Sequence, residues 1–396
     1  MPTDTLIMIP GALLSAAVLP GTFELAMLTL GGAMPPRKTV AGSGTAPIRF
    51  CIVIPAHDEA EGIEACLRGI QGAEVGLHTV TVVVVADNCG DDTAARAEAA
   101  GARVLVRDDP ERRGKGYALD HAFSILLKED HEVFVVVDAD TRVEANFLTE
   151  LAARFQAGAD AVQARYCVSN PEQSIRARLM HVAWLAFNVL RPRGREYWGW
   201  SAGILGSGFG LHRRTLESVP FDAGSIAEDL EYHIRLVQAG KRVRFCDGTT
   251  VWSPVPATGA VASSQRARWE GGRFRMMREQ IPPLVRQVAG GHWPLLEPLL
   301  DLLLLPLAFH MILLALLLAW PWGPGRILAA SGMAVVGLHV AAALAVGRAG
   351  WRDWAALATA PFYIVWKLTL GKRMLSSASR EAAWVRTERT KSDDSA

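Results

Sequence analysis

Five consecutive apolar residues, Val133 to Val137, run directly into Asp138-Ala139-Asp140. An apolar run rich in β-branched side chains reads as a strand buried on both faces of a parallel sheet. In open α/β sheets, ligands bind beyond the carboxyl ends of the strands. Side chains at i and i+2 of an extended segment share one side. Asp138 and Asp140 would then repel each other unless a hard divalent cation bridged them to phosphate oxygens. The plainer alternative is a solvated strand-to-turn junction, where Asp is common. Acids also stand at two other strand ends, in His57-Asp58-Glu59 and at Asp87. Turn chemistry explains any one of these ends, whereas the three together describe a polar crevice of ligand size.

Further candidates follow along the chain. Arg113-Gly114-Lys115-Gly116 sets a cation on a flexible turn, as a phosphate contact or as an ordinary basic loop. Glu228-Asp229 open a helix, where acids serve as caps and dipole partners, or where one of them removes a proton from an acceptor hydroxyl. Gln265-Arg266-Ala267-Arg268-Trp269 combines an amide, two guanidinium groups and an indole. Guanidinium forks suit phosphate oxygens and an indole face suits a sugar ring. The same residues would also make a basic interfacial helix against anionic headgroups. No Gly-x-Gly-x-x-Gly follows the first strand, and Gly206-Ser207-Gly208-Phe209-Gly210 has the wrong spacing. No Gly-x-x-x-x-Gly-Lys-Ser/Thr loop occurs either, so the motifs disfavour a dinucleotide dehydrogenase and a P-loop ATPase.

The elements that must position these residues alternate regularly. Phe50–Ile54 reads as a strand that stops at Pro55, and Glu59–Gly72 as a helix with Ile63, Leu67 and Ile70 on one face. Strand Val80–Ala86, helix Thr93–Ala100, strand Arg103–Val106 and helix Tyr117–Leu127 lead to the Val133 strand. The helix after Glu228-Asp229 is expected to turn Leu230, Ile234 and Val237 inward. This alternation predicts an α/β fold, a doubly wound and mostly parallel sheet with right-handed crossovers.

The chain has 396 residues, is 50% hydrophobic and carries a net charge of +1. Near-neutrality argues against nucleic acid as a partner, since such domains show a basic footprint. Five scattered cysteines without a C-x-x-C pair read as reduced thiols rather than disulfides or a zinc site. Residues 6–33 contain one charge, Glu24, and Leu299–Val346 contain Asp301, Arg326 and two histidines. Leu6–Gly32 is long enough to span a bilayer despite Pro10, Pro20 and Glu24, and no basic segment precedes it to mark a cleaved signal. Arg37 and Lys38 follow it, so the positive-inside rule puts the large domain in the cytoplasm. Leu299–Trp320 and Ile327–Val346 read as a helical hairpin, and Gln280–Pro298 as an interfacial approach to it. For Trp354–Leu370, an interfacial or re-entrant position suits the basic tail that follows, and its length suits a span.

In order and spacing, Pro55-Ala56-His57-Asp58-Glu59, Asp87, Arg113-Gly114-Lys115-Gly116, Asp138-Ala139-Asp140, Glu228-Asp229 and Gln265-x-x-Arg268-Trp269 resemble the membrane-bound family 2 glycosyltransferases. These include cellulose synthase-like and hyaluronan synthase-like enzymes and bacterial glycolipid synthases. The resemblance covers about Phe50 to Arg278, and Q-x-x-R-W is its specific part. Asp58 stands where the usual motif has Asn, and Ala227 where it has Thr.

The resemblance implies a GT-A fold with an N-terminal transmembrane helix at 1–36 and a cytoplasmic glycosyltransferase domain at 48–279. It further implies an interfacial segment at 280–298, a transmembrane hairpin at 299–346, a segment of either kind at 354–371, and a basic cytoplasmic tail at 372–396. Pro55, Ala56, Glu59, Asp87, Lys115, Asp138 and Arg268 would bind a nucleotide sugar, and Asp140 would ligate Mg²⁺ or Mn²⁺. Asp229 would be the general base of an inverting transfer. Gly206, Ser207, Gly208, Glu228, Gln265 and Trp269 would meet the acceptor. The activity implied is transfer from a UDP-sugar to a growing surface polysaccharide at a bacterial inner membrane, with polysaccharide export proteins as possible partners. Alternatives are single addition to a ceramide, diacylglycerol or polyprenyl-phosphate lipid, or a non-catalytic nucleotide-sugar-binding subunit.

Overall fold

Period-2 alternation builds the sheet. Along the first strand, β1 (Arg49–Ala56), Phe50, Ile52 and Ile54 pack into one apolar cluster, while Cys51 and Val53 pack into another on the opposite face. The computed structural model describes residues 3–36, 46–222, 227–256 and 259–368. These fall into two units, one drawn from 36, 46–177, 199–222 and 227–256, the other from 3–35, 178–198 and 259–368.

In the first unit β1 is joined by β2 (Thr79–Asp87), β3 (Arg103–Arg107), β4 (Val133–Val136), β5 (Arg142–Val143), β6 (Ala161–Val168), β7 (Phe209–His212) and β8 (Val243–Ser253). The sheet order is β3-β2-β1-β4-β7-β6-β8-β5. Helices Ile63–Gln71 and Phe147–Gln156 cover one face, and Lys115–Leu126 and Glu228–Gln238 cover the other. Each fully buried Val, Ile or Phe contributes about 1.5–3 kcal/mol of transfer free energy, so both faces hold the sheet firmly.

The sheet is mostly parallel, as expected, with antiparallel pairings mixed in. The pairs β1–β2, β1–β4, β2–β3 and β6–β8 are parallel, whereas β4–β7, β6–β7 and β5–β8 are antiparallel. The reversal at β7 has a functional consequence. It places the loop before β7 beside the carboxyl end of β4, because Phe209 pairs with Val136. Strands β6 and β8 are parallel to each other and also end on that side. β4 stops at Val136, so Asp138 and Asp140 lie on a turn closed by the Thr141 N–H to Asp138 O bond of 2.9 Å, not on extended chain. Helix Glu228–Gln238 turns Tyr232 and Leu236 into the core beside Ile234 and Val237, and Leu230 is only half-buried.

In the second unit, helix Thr3–Ala33 runs through Pro10 and Pro20. Among the described residues, Ile7–Ala33 and Gly323–Val346 are long and apolar enough to cross a membrane. The expected straight span at 299–320 is instead a pair, ending at Leu303 and resuming at Leu307, bent by 75°. Pro306 accounts for the break, because it lacks an N–H and pushes the residue before it out of the helical region. Residues 280–289 continue a long helix, Gly259–Ala289, and the described part of 354–371 is divided among short helices. The tail at 372–396 lies outside the described residues. The two apolar-segment histidines are satisfied from the first helix, His310 by Thr22 at 3.2 Å and His339 by Thr29 at 2.8 Å. Glu24 is buried with charged partners: Arg195 lies 3.3 Å from it, 2.7 Å from Glu297 and 2.5 Å from Asp301, which Arg273 also meets at 3.0 Å.

Candidate active site

The turn after β4 is held from beneath by a chain of buried hydroxyls. The Asp138 N–H donates to Ser207 Oγ at 3.0 Å, Ser207 Oγ lies 3.2 Å from Thr141 Oγ1, and Thr141 Oγ1 lies 2.6 Å from Ser253 Oγ. The loop carrying Ser207 is braced by Gln163, which donates to Ser207 O at 2.8 Å and accepts from the Leu205 N–H at 2.9 Å. Gly208 has φ +71°, and a Cβ there would fall 2.6 Å from Val251 Cγ2, so only glycine lets the loop pass this close to β8.

Lys115 begins helix Lys115–Leu126, and its Nζ donates to Asp138 Oδ1 and, at 2.6 Å, to Gly206 O. Gly206 also borders Asp229, since a Cβ built on it would lie 3.7 Å from Asp229 Oδ2. Lys115, Asp138, Gly206 and Asp229 therefore meet at the carboxyl edge, and Glu228 is near enough for its charge to act on Lys115. Burial would lower the Lys115 pKa, but Asp138, Glu228 and Asp229 hold it above its ordinary value. Burial and the neighbouring Asp229 charge push Glu228 up to about 7, and burial also raises Asp229. An Asp with a raised pKa is a stronger base than an ordinary one, which suits proton abstraction near neutral pH. Tyr166 on β6 feels the same field: burial, then Asp138 and Asp140, keep its phenol neutral.

Beyond β1 and β2 the chain is fastened by local bonds. His57 Nδ1 lies 2.7 Å from Asp87 O, and the Glu59 N–H donates to Thr93 Oγ1 at 2.7 Å. Pro55 is half-buried and Ala56 is buried, so Ala56 can meet a ligand only through its backbone. Asp87 is 5% exposed and paired with Arg107. The Ser207 side chain is fully buried and used by the Asp138 turn, so Ser207 can meet an acceptor only through its backbone. Gln265 and Trp269 belong to the other unit, where Trp269 packs 6.3 Å from Trp184, and the Arg268 side chain lies outside the described residues.

Asp138 and Asp140 are half-buried carboxylates on one turn, a hard-oxygen donor set that fits Mg²⁺ or Mn²⁺. Among the described residues another group with metal-ligand chemistry is Asp58, Cys89 and Asp91. Its carboxylates are taken up by backbone amides, Gly90 N–H to Asp58 at 2.6 Å and Thr93 N–H to Asp91 at 3.0 Å, and burial keeps the Cys89 thiol protonated. That group fastens two loops.

Sequence reasoning missed Arg107, Thr141, Gln163, Tyr166 and Ser253. Thr141 had a signal, its position directly after Asp140. The others come from strands whose pairing no local pattern reveals.

The chain matches the model for Glycosyl transferase family group 2 over residues 133–366. It is similar to the probable glycosyltransferase YdaM of Bacillus subtilis (strain 168), 27% identical over 233 residues, which cover 57% of this chain and 55% of that protein. An uncharacterized glycosyltransferase of Mycobacterium bovis is 35% identical over 114 residues, 29% of this chain and 47% of that protein. The chain thus spans about half the length of these curated relatives. In structure it is similar to the mannosyltransferase PcManGT from Pyrobaculum calidifontis, solved in complex with GDP-Man and Mn²⁺. The TM-score is 0.55 at 22% identity, over 94% of this chain and 98% of that one, a likeness of GT-A-type fold. With more than half of its residues matched by the family model, and with this mixed α/β sheet, the chain belongs to glycosyl transferase family group 2.

Proposed function

We propose that this protein is an inverting membrane glycosyltransferase that moves a sugar from a nucleotide-diphosphate sugar, a UDP-sugar, to a hydroxyl of a growing surface polysaccharide. The meeting of Lys115, Asp138, Gly206 and Asp229 at the carboxyl edge of the sheet carries this reading. Asp229 takes the proton from the acceptor hydroxyl as its oxygen attacks the anomeric carbon. Lys115 offsets the negative charge that grows on the departing diphosphate. Asp140, with Asp138 beside it, would hold Mg²⁺ or Mn²⁺, which when bound supplies further charge neutralisation to the diphosphate. Pro55, Ala56, Glu59 and Asp87 would seat the nucleoside, while Glu228, Gln265, Arg268 and Trp269 would serve the acceptor and leaving-group side.

A second reading, single addition to a membrane lipid, is favoured by one observation. Two helices among the described residues, or three spans if the bent pair counts as one, are few for a chain that must also build a polymer channel. The two readings separate by product. Purified protein with Mn²⁺, a panel of UDP-sugars and lipid extract gives a ladder of masses if it polymerises and one mass increment if it makes a glycolipid. No turnover with any donor would leave only a nucleotide-sugar-binding subunit and end the enzymatic reading. Asp229→Asn should abolish turnover while calorimetry shows UDP affinity unchanged; lost affinity would remove Asp229 from the role of base.

A further inference from the structure

Arg107 is the last residue of β3, the edge strand of the sheet, yet it is 8% exposed. Burying a guanidinium at a sheet edge is costly unless its hydrogen bonds are met. In register it stands directly opposite Asp87, the last residue of β2, so the two side chains share a face. One guanidinium nitrogen meets Asp87 Oδ1 at 2.5 Å and the other meets Asp109 Oδ2 at 2.9 Å. Asp109 is fixed in turn, because its Oδ1 accepts from the Glu111 and Arg112 N–H groups at 3.2 and 3.1 Å. Asn88 completes the arrangement. Its N–H donates to Arg107 O at 2.7 Å, its amide donates to Asp87 Oδ1 at 2.9 Å, and its Oδ1 accepts from the Asp109 N–H at 2.8 Å. Among the described residues, both side-chain donors on Asp87 thus converge on one oxygen, Oδ1, which leaves Oδ2 as the oxygen for a ligand N–H or O–H.

We infer that Arg107 is a positioning residue for nucleoside recognition: held between Asp87 and Asp109, it fixes the Asp87 carboxylate with one oxygen committed to the protein and the other presented to the donor. The inference rests on the donor-binding reading above and adds a residue to it. Lysine cannot replace the arginine fully, because one ammonium does not reproduce a planar fork that meets two acids. The diphosphate end of the donor is served by other residues, Lys115 and Asp140, so the effect should be confined to the nucleoside.

Calorimetry with UDP and with inorganic diphosphate, each with Mn²⁺, tests this on the full chain in detergent, well below its melting temperature. Arg107→Met should weaken UDP binding by about tenfold or more, the scale of one lost charge-assisted hydrogen bond, and leave inorganic diphosphate binding unchanged. A merely structural arginine would lower the melting temperature without moving the UDP affinity of the folded protein. Unchanged UDP affinity in a folded Arg107→Met protein overturns the inference, and so does a parallel loss of UDP and inorganic diphosphate. If Arg107→Met does not fold, Arg107→Lys carries the test: it keeps the buried charge, and UDP affinity should still fall by about threefold or more. A wild-type protein that binds inorganic diphosphate but not UDP would end the donor reading itself, which distinguishes that failure from this one.

Discussion

Replacing Glu228 by Gln should stabilise the protein in neutral and alkaline solution and leave it unchanged in acid. Glu228 opens its helix beside Asp229, and burial together with that charge pushes its carboxyl up from an ordinary 4.5 to about 7. At about 1.4 kcal/mol per tenfold, keeping Glu228 ionised in the folded protein costs roughly 3 kcal/mol, and screening at its solvent-facing side reduces this to about 2. The sign follows from which state keeps the proton. Between pH 4.5 and 7 the unfolded chain has released it and the folded chain has not. Wild-type stability therefore falls as pH rises through this window, and the penalty is complete above it. Gln cannot ionise, so Glu228→Gln should match the wild type near pH 4.5 and exceed it by about 2 kcal/mol at pH 8. Thermal unfolding in detergent across pH 4.5–8 reads the difference directly. A gap that does not change with pH, or a variant less stable than the wild type at pH 8, would refute the argument that the Glu228-Asp229 pair is held under electrostatic strain.

Thr141→Val keeps the shape of the side chain but breaks the hydroxyl chain beneath the Asp138 turn. It should cost about 1–3 kcal/mol by leaving Ser207 and Ser253 short of a partner. If that chain positions the acids, Mn²⁺ affinity measured by electron paramagnetic resonance should fall by about tenfold; unchanged metal affinity would reduce the hydroxyls to packing. In the second unit, Arg195→Met strips the shared partner from Glu24, Glu297 and Asp301 and should destabilise by about 3–5 kcal/mol in detergent unfolding. Adding Glu297→Gln should recover part of that loss, and no recovery would show that the cluster does not act through charge balance.

Local patterns made the first half of the sheet legible. The alternation of Phe50, Ile52 and Ile54 with Cys51 and Val53, and the run Val133–Val137, place strands because side-chain direction repeats every two residues. The acids at the strand ends, Lys115 on its glycine turn, and Asp229 in a first helical turn were likewise visible as residue types in context. The second half of the sheet was not. Strands β6, β7 and β8 are joined by long connections, and the antiparallel entry of β7 depends on pairings between residues as far apart as Val136 and Phe209. That one reversal decides that the Gly206–Gly208 loop borders the acids, and that the Ser207 side chain is spent inside the fold. The break at Pro306 shows the same limit on a smaller scale: composition marked an apolar segment, and the backbone demands of proline divided it.

The sequence by itself determined which groups were available: carboxylates at the ends of buried strands, a lysine on a tight turn, and three apolar segments of membrane length. Only the tertiary structure decided which of these groups share a site, that Arg107 lies opposite Asp87, and that a column of hydroxyls underlies the Asp138 turn. The physical reason is range. Periodicity, capping and turn chemistry act within a few residues and leave marks in the sequence. Register, strand direction and the pairing of charges arise from many weak contacts between distant segments, each of which leaves no mark by itself.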